Sequence, residues 1–292
     1  MHEGGAYEKN AIVRIPERIR IGHIPINALR FSDALDAIEQ LIQSRGGAVF
    51  TPNVDHVVLA EHDRSFRAAY DRAELSVADG QPVVWASRLF TSPLPEKVSG
   101  SDLLLPLMKR AAARAWRVYL LGGAPGVAED AARVLRTHHG VEVVGFASPR
   151  VTAPPSSELI EALAASLREA RVDLVLVALG APKQELLIDA LKDQVRPAAL
   201  IGVGASLDFL IGRLSRAPRW MSRSGLEWLY RLAREPRRLW RRYLLRDPAF
   251  VRIVLRQLWT RPTAPTPSAP SARTRFAFGT RHRPTVDSVM PT

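Results

Sequence analysis

No cysteine occurs anywhere in the chain, which excludes disulfides and thiolate metal sites and suits a reducing compartment. Long apolar runs are also missing, none approaching the roughly 18 residues that a helical membrane span needs. The opening stretch MHEGGAYEKNAIVRIPERIR lacks the apolar core of a signal peptide. No Asp-x-Asp occurs, and His56, His62, His138 and His139 do not form a metal-ligand set. Acidic residues are scarce beside basic ones, 29 against 41, giving a formal net charge of +12. That scarcity is local. Between Arg213 and Tyr243 the chain carries Arg213, Arg216, Arg219, Arg223, Arg231, Arg234, Arg237, Arg238, Arg241 and Arg242 against only Glu227 and Glu235. A localised charge favours a localised polyanion, and diphosphate, anionic lipid and nucleic acid all fit the arginine fork.

What is present is an ordinary globular composition, 47% hydrophobic and 24% charged over 292 residues, enough for one sizeable core plus an appendage. Ile19, Ile21 and Ile24 alternate as in a short strand. Ser32 is placed to cap a helix that Gly46-Gly47 stops. From there strand and helix signals alternate: strands at 48–50, 75–78, 117–121, 141–145, 172–179 and 198–203, with helices from Val54 and over 81–89, 101–114, 124–138, 156–170 and 183–193. Strands as apolar as Leu174 to Leu179 predict a parallel sheet covered on both faces, a Rossmann-like α/β core over residues 17–212. Residues 213–260 then read as a small helical basic appendage, with helices at 222–234, 236–245 and 248–259 and Asp247 as a cap. Residues 1–16 are expected to be flexible and the Pro/Ser/Thr/Arg-rich 261–292 to be a disordered tail.

In such a sheet ligands lie beyond the C-terminal strand ends. Four ends with polar or glycine-rich signatures follow the strands: Thr51-Pro52-Asn53, Ala78-Asp79-Gly80, Gly122-Gly123 and Gly180 to Glu185. A fifth, ending in Gly204, lets backbone approach a ligand closely. Asp79 reads either as a general base toward a hydroxyl or as a helix cap. Gly122-Gly123 reads as a phosphate loop or as tight helix packing. It lacks the GxGxxG fingerprint, and no acid follows for a ribose, which disfavours a nicotinamide enzyme. Gln184 has the groups to hydrogen bond a sugar ring, and Glu185 complements a helix dipole. The basic residues beside Trp240, Tyr243 and Leu244 suit an anionic membrane interface. The stripes there equally suit packing on the core or an oligomer contact.

Taken in order, Thr51-Pro52-Asn53, Ala78-Asp79-Gly80, Val98-Ser99-Gly100-Ser101-Asp102, Leu121-Gly122-Gly123, Gly180 to Glu185, Gly202-Val203-Gly204 and Arg216-Ala217-Pro218 through Glu227-Trp228 to Arg242-Tyr243 resemble one family. It is the WecG/TagA/CpsF family of glycosyltransferases, also called glycosyltransferase family 26, and the resemblance spans about residues 18–246. It implies an inverting, metal-independent transfer from a UDP-sugar to a polyprenyl-diphosphate-linked saccharide in cell-surface polysaccharide synthesis. It further implies no cofactor, no nucleic-acid partner, and a cytoplasmic, peripheral position on an anionic membrane face, with the appendage closing the active site; a homo-oligomer is left open. By motif, Asp79 resembles the catalytic base. Thr51, Asn53 and Gln184 resemble the lining of the sugar and acceptor pocket, with Gly122, Gly123, Glu185 and Gly204 alongside. Arg216, Arg219 and Arg231 resemble the cations on the UDP leaving group. Lys97 stands where the family usually has arginine, keeping the charge without the fork. Leu187 and Leu207 replace common aromatics, so the identity of the sugar does not carry over. The competing reading is a non-catalytic basic membrane or nucleic-acid adaptor.

Overall fold

The computed structural model describes residues 17–260 except Thr91, and leaves undescribed the side chains of Arg219 and Arg223. The expectations for residues 1–16 and 261–292 lie outside the described residues. In chain order the elements are β1 (Arg18–Ile21), β2 (Ile24–Asn27), α1 (Phe31–Gln43), β3 (Gly47–Phe50), α2 (Val54–His62), α3 (Arg64–Arg72) and β4 (Leu75–Ser76). There follow α4 (Gln81–Ser87), α5 (Gly100–Ala113), β5 (Val118–Gly122), α6 (Val127–His139), β6 (Val143–Ala147), α7 (Ser157–Glu169), β7 (Leu174–Ala178), α8 (Lys183–Leu191) and β8 (Ala199–Gly202). The chain closes with α9 (Ser206–Leu210), α10 (Arg219–Arg223), α11 (Glu227–Arg234), α12 (Pro236–Trp240), a π-helix (Arg241–Arg246) and α13 (Ala249–Trp259).

Six strands form one parallel sheet in the order β4-β3-β8-β7-β5-β6. The four inner strands are buried throughout, as runs such as LVLVA require when helices cover both faces. One layer of core lies with α1, α5 and α6. The other lies with α2, α3 and α8 and takes in Ile21, Ile24 and Ile26 of the β1–β2 hairpin. The isoleucines read as one short strand are thus the two arms of a hairpin, turned at Gly22-His23. Helix α3 has no counterpart in the sequence reading, although its buried Phe66, Ala69 and Tyr70 stand at helical spacing.

Local end signals were overruled where a distant partner was better. Helix α1 begins at Phe31, ahead of Ser32, because Glu96 accepts the Phe31 N–H at 2.6 Å and takes over the work of a cap. The helix expected over 222–234 is two, divided at Gly225. Gly225 has φ 68°, and a Cβ there would sit 2.5 Å from the Trp85 ring, so the indole needs a glycine at the break. The Asp247 side chain caps no helix: the π-helix ends at Arg246, α13 starts after Pro248 without a side-chain cap bond, and the Asp247 carboxylate turns to Arg242 at 3.7 Å.

Helix α13 belongs to the core. Phe250, Ile253 and Val254 are buried among the same side chains as Ile21 and Val57, each worth about 1.5–3 kcal/mol on full burial. Gln257 clasps the hairpin turn: its Oε1 accepts from Gly22 N–H at 2.7 Å and its Nε2 donates to Arg20 O at 2.7 Å. Arg256 pairs with Glu61 at 2.6 Å. Val251, Leu255 and Trp259 on the opposite side stay exposed. Among the described residues no helix is long and apolar enough to cross a membrane.

Candidate active site

Parallel strands deliver the C-terminal ends of β3, β4, β5, β7 and β8 to one edge of the sheet. At the β3 and β4 ends the edge opens into a cavity of about 390 Å³. Asn53, Asp79 and Gly80 form its strand-end side, and Glu227, Trp228, Arg231, Arg242 and Tyr243 come from the helices after Pro218. Two of those aromatics hold each other edge to face, Trp228 and Tyr243 with centroids 6.0 Å apart.

Asp79 is fixed by its backbone. Its N–H donates to Pro52 O at 2.8 Å, and the preceding Ala78 O accepts from Val98 N–H at 2.7 Å. It does not cap α4, whose N-cap is Gly80 with no side-chain bond. Burial pushes the Asp79 carboxyl up to about 7, Glu227 and Asp102 adding to the rise while Lys97 and Arg231 oppose it. A carboxylate poised near neutrality, fixed in place and facing a cavity, is equipped to accept a proton from a hydroxyl.

Lys97 stands between core and appendage. Its Nζ donates to Ser222 Oγ at 2.8 Å and lies 3.5 Å from Asp102 and 3.6 Å from Glu227. Arg216 joins this group through Asp102 at 3.2 Å and stacks over Phe209. Burial works against ionisation of Asp102, but the Ser99 hydroxyl, Lys97 and Arg216 together hold its carboxyl below the ordinary value. On the other side Arg242 donates to Asn53 Oδ1 at 3.1 Å and pairs with the buried Asp55 at 3.3 Å, which Arg246 also contacts. Asn53 meanwhile caps α2 by accepting from Asp55 N–H at 3.0 Å.

Behind this cavity runs a buried polar chain. Thr51 donates to Gly202 O at 3.2 Å, Gly204 N–H donates to Gln184 Oε1 at 3.0 Å, and Gln184 Nε2 donates to Glu185 Oε1 at 2.9 Å. Burial pushes Glu185 up to about 7, opposed by its backbone and Gln184 hydrogen bonds and reinforced by Asp55. The Tyr70 hydroxyl and His56 Nδ1 are bonded at 2.6 Å. Burial, with Arg242 and Arg246 nearby, pushes that imidazole down to about 3, so it is neutral.

The residues singled out in the sequence therefore fall into groups. Asn53, Asp79 and Arg231 line the cavity together, and Lys97 and Arg216 stand in the ionic group beside it. Thr51, Gln184 and Glu185 are buried in the strand-end network and do not line the cavity. Gly122, Gly123 and Gly204 lie on the same sheet edge, away from its walls. Gly122, at φ 104°, packs so closely on strand β7 that a Cβ would lie 2.6 Å from Ala178 O, and a Cβ on Gly123 would lie 3.0 Å from Val127 of α6. Arg219 opens α10, its side chain outside the described residues. Glu227 and Trp228 entered the sequence reading only through the family motif, and Arg242 and Tyr243 through that motif and a membrane-interface reading; none was placed in the cavity. Glu227 and Arg231, one helical turn apart on α11, were the available signal.

A profile described as the Glycosyl transferase WecG/TagA/CpsF family matches residues 19–264. The chain is also similar to the N-acetylglucosaminyldiphosphoundecaprenol N-acetyl-beta-D-mannosaminyltransferase of Bacillus spizizenii strain W23. The two are 34% identical over 240 residues, covering 80% of this chain and 90% of the relative.

Proposed function

Because this chain belongs to the WecG/TagA/CpsF family of glycosyltransferases, we propose that it moves a sugar from a UDP-sugar to a polyprenyl-diphosphate-linked saccharide by direct, inverting displacement. The observation that carries this reading is Asp79, poised near neutrality in a strand-end cavity across from Arg231 and Arg242. Asp79 takes the acceptor hydroxyl proton as the oxygen attacks the anomeric carbon, and the carbon–oxygen bond to UDP breaks on the opposite face. Asn53 and the aromatic pair Trp228–Tyr243 shape the sugar pocket. Arginines of residues 213–260, Arg231 first among them, take the charge that develops on UDP, in place of a metal ion.

The same segment closes the cavity and holds the protein on an anionic membrane face. Its exposed Trp220, Trp240, Leu244, Leu245 and Trp259, interleaved with arginine, support that role. The lipid-linked acceptor named for the Bacillus relative supports it too.

The test is nucleotide release from a panel of UDP-sugars in EDTA, with and without polyprenyl-diphosphate-linked saccharides. Acceptor-dependent release is expected. Liposome binding without release from any pair would favour the adaptor reading. The pH dependence follows from Asp79. Its base form grows as pH rises through about 7, so kcat/KM should climb from pH 6 to pH 8 with an acid limb near 7. A flat profile over that range would remove Asp79 as the base.

A further inference from the structure

Arg231 lines two cavities. Besides the one that holds Asp79, a smaller cavity of about 200 Å³ lies between the segment after α9 and the far side of α11, with Arg213, Ser215, Tyr230, Arg231 and Arg234 in its walls. Its charge is unbalanced. Glu235, the acid in its wall, is engaged by Arg238 at 2.6 Å. Arg213 reaches only a loose pairing with Asp208 at 3.9 Å. Among the described residues no ion pair is made by Arg231 or Arg234. Cationic forks left without anions, beside a hydroxyl and a phenol that can also donate, form a donor-rich pocket.

Size narrows the ligand. A cavity of about 200 Å³ has room for a diphosphate group within its walls, with the groups attached to it reaching out of its mouth. Guanidinium forks match phosphate oxygens bidentately. The proposed transfer brings two diphosphates to one centre, on the donor and on the acceptor, while the Asp79 cavity must keep space for the reacting sugar atoms.

We propose that this second cavity is a diphosphate-binding site built from Arg213, Arg231 and Arg234, joined to the Asp79 cavity through Arg231. The wider assignment rests on the transferase reading, but binding itself does not. In calorimetric titration of the full chain with inorganic pyrophosphate, Arg213→Gln/Arg234→Gln should weaken binding about ten- to hundredfold, as loss of charge-assisted hydrogen bonds predicts. In the transfer assay the double variant should raise KM for one substrate by about tenfold or more, with a smaller change in kcat. A rise for the UDP-sugar assigns the site to the nucleotide, and a rise for the lipid-linked acceptor assigns it to the lipid. Pyrophosphate binding that is absent from the unaltered protein, or unchanged in a folded double variant, overturns the site. Pyrophosphate binding that is lost in the variant, with no transfer from any substrate pair, overturns the transferase reading and leaves the site standing.

Discussion

Asp79→Asn is expected to slow sugar transfer by about 10²-fold or more, the usual cost of losing a positioned acid–base group, while the protein stays folded. Asparagine matches aspartate in shape, and the backbone bonds that fix position 79 do not involve its side chain. What is lost is the ability to take a proton. The variant should also differ in stability, with a predictable sign. The Asp79 carboxyl is held at about 7, against an ordinary 3.8, so the folded state binds its proton more tightly than the unfolded state. Its contribution to stability is full below about 4 and is lost as pH rises through about 7. Asparagine has no such dependence. Compared with the unaltered protein, the variant should gain relative stability between pH 4 and pH 8, read as a difference in Tm at the two pH values. Rates in the variant within threefold of the unaltered enzyme would dismiss Asp79 as the base.

The second large effect is structural. Asp55 is buried and faces both Arg242 and Arg246. Its replacement by alanine leaves two guanidinium groups against the Asn53 amide oxygen and Asp247, the latter 3.7 Å from Arg242. Removing one partner of a buried pair costs about 3–5 kcal/mol. Arg242 and Arg246 are respectively 23% and 44% exposed at the side chain, so water recovers part of the loss, and a value near the lower bound, about 3 kcal/mol, is expected. Urea denaturation measures it. Activity should fall as well, because Arg242 and Tyr243 line the cavity and the bond from Arg242 to Asn53 is held by the same ion pair. A loss below about 0.5 kcal/mol, the ordinary scatter of surface substitutions, would mean that Asp55 does not hold the π-helix.

Much of the fold was legible because its signals are local and repeated. Runs such as Leu174 to Ala178 are apolar on both faces and fit little besides an inner strand of a covered parallel sheet. The cavity was legible at Asp79 and Asn53, since a strand end followed by glycine or proline marks the ligand edge. The basic segment was harder. From sequence, Arg216, Arg242, Arg246 and Arg256 look alike, all available to an outside anion. In the folded protein they pair with Asp102, Asp55 and Glu61, residues more than a hundred positions away, and no spacing rule relates such partners. The misplaced cap at Ser32 has a similar origin, because Glu96 reaches the start of the helix at Phe31 from 65 positions away.

The clasp of Gln257 on the turn at Gly22 spans 235 positions of chain, and that has a bearing on biosynthesis. The hairpin leaves the ribosome early, whereas the helix that covers it emerges late. Until residue 257 is free, Ile21 and Val57 lack their partners from α13, and the cavity lacks the walls that follow Pro218. Contacts so far apart along the chain form slowly, and a nascent chain with an uncovered apolar face is the form most prone to misassociation. The order of synthesis thus keeps the cavity incomplete until nearly all of the described polypeptide has been made.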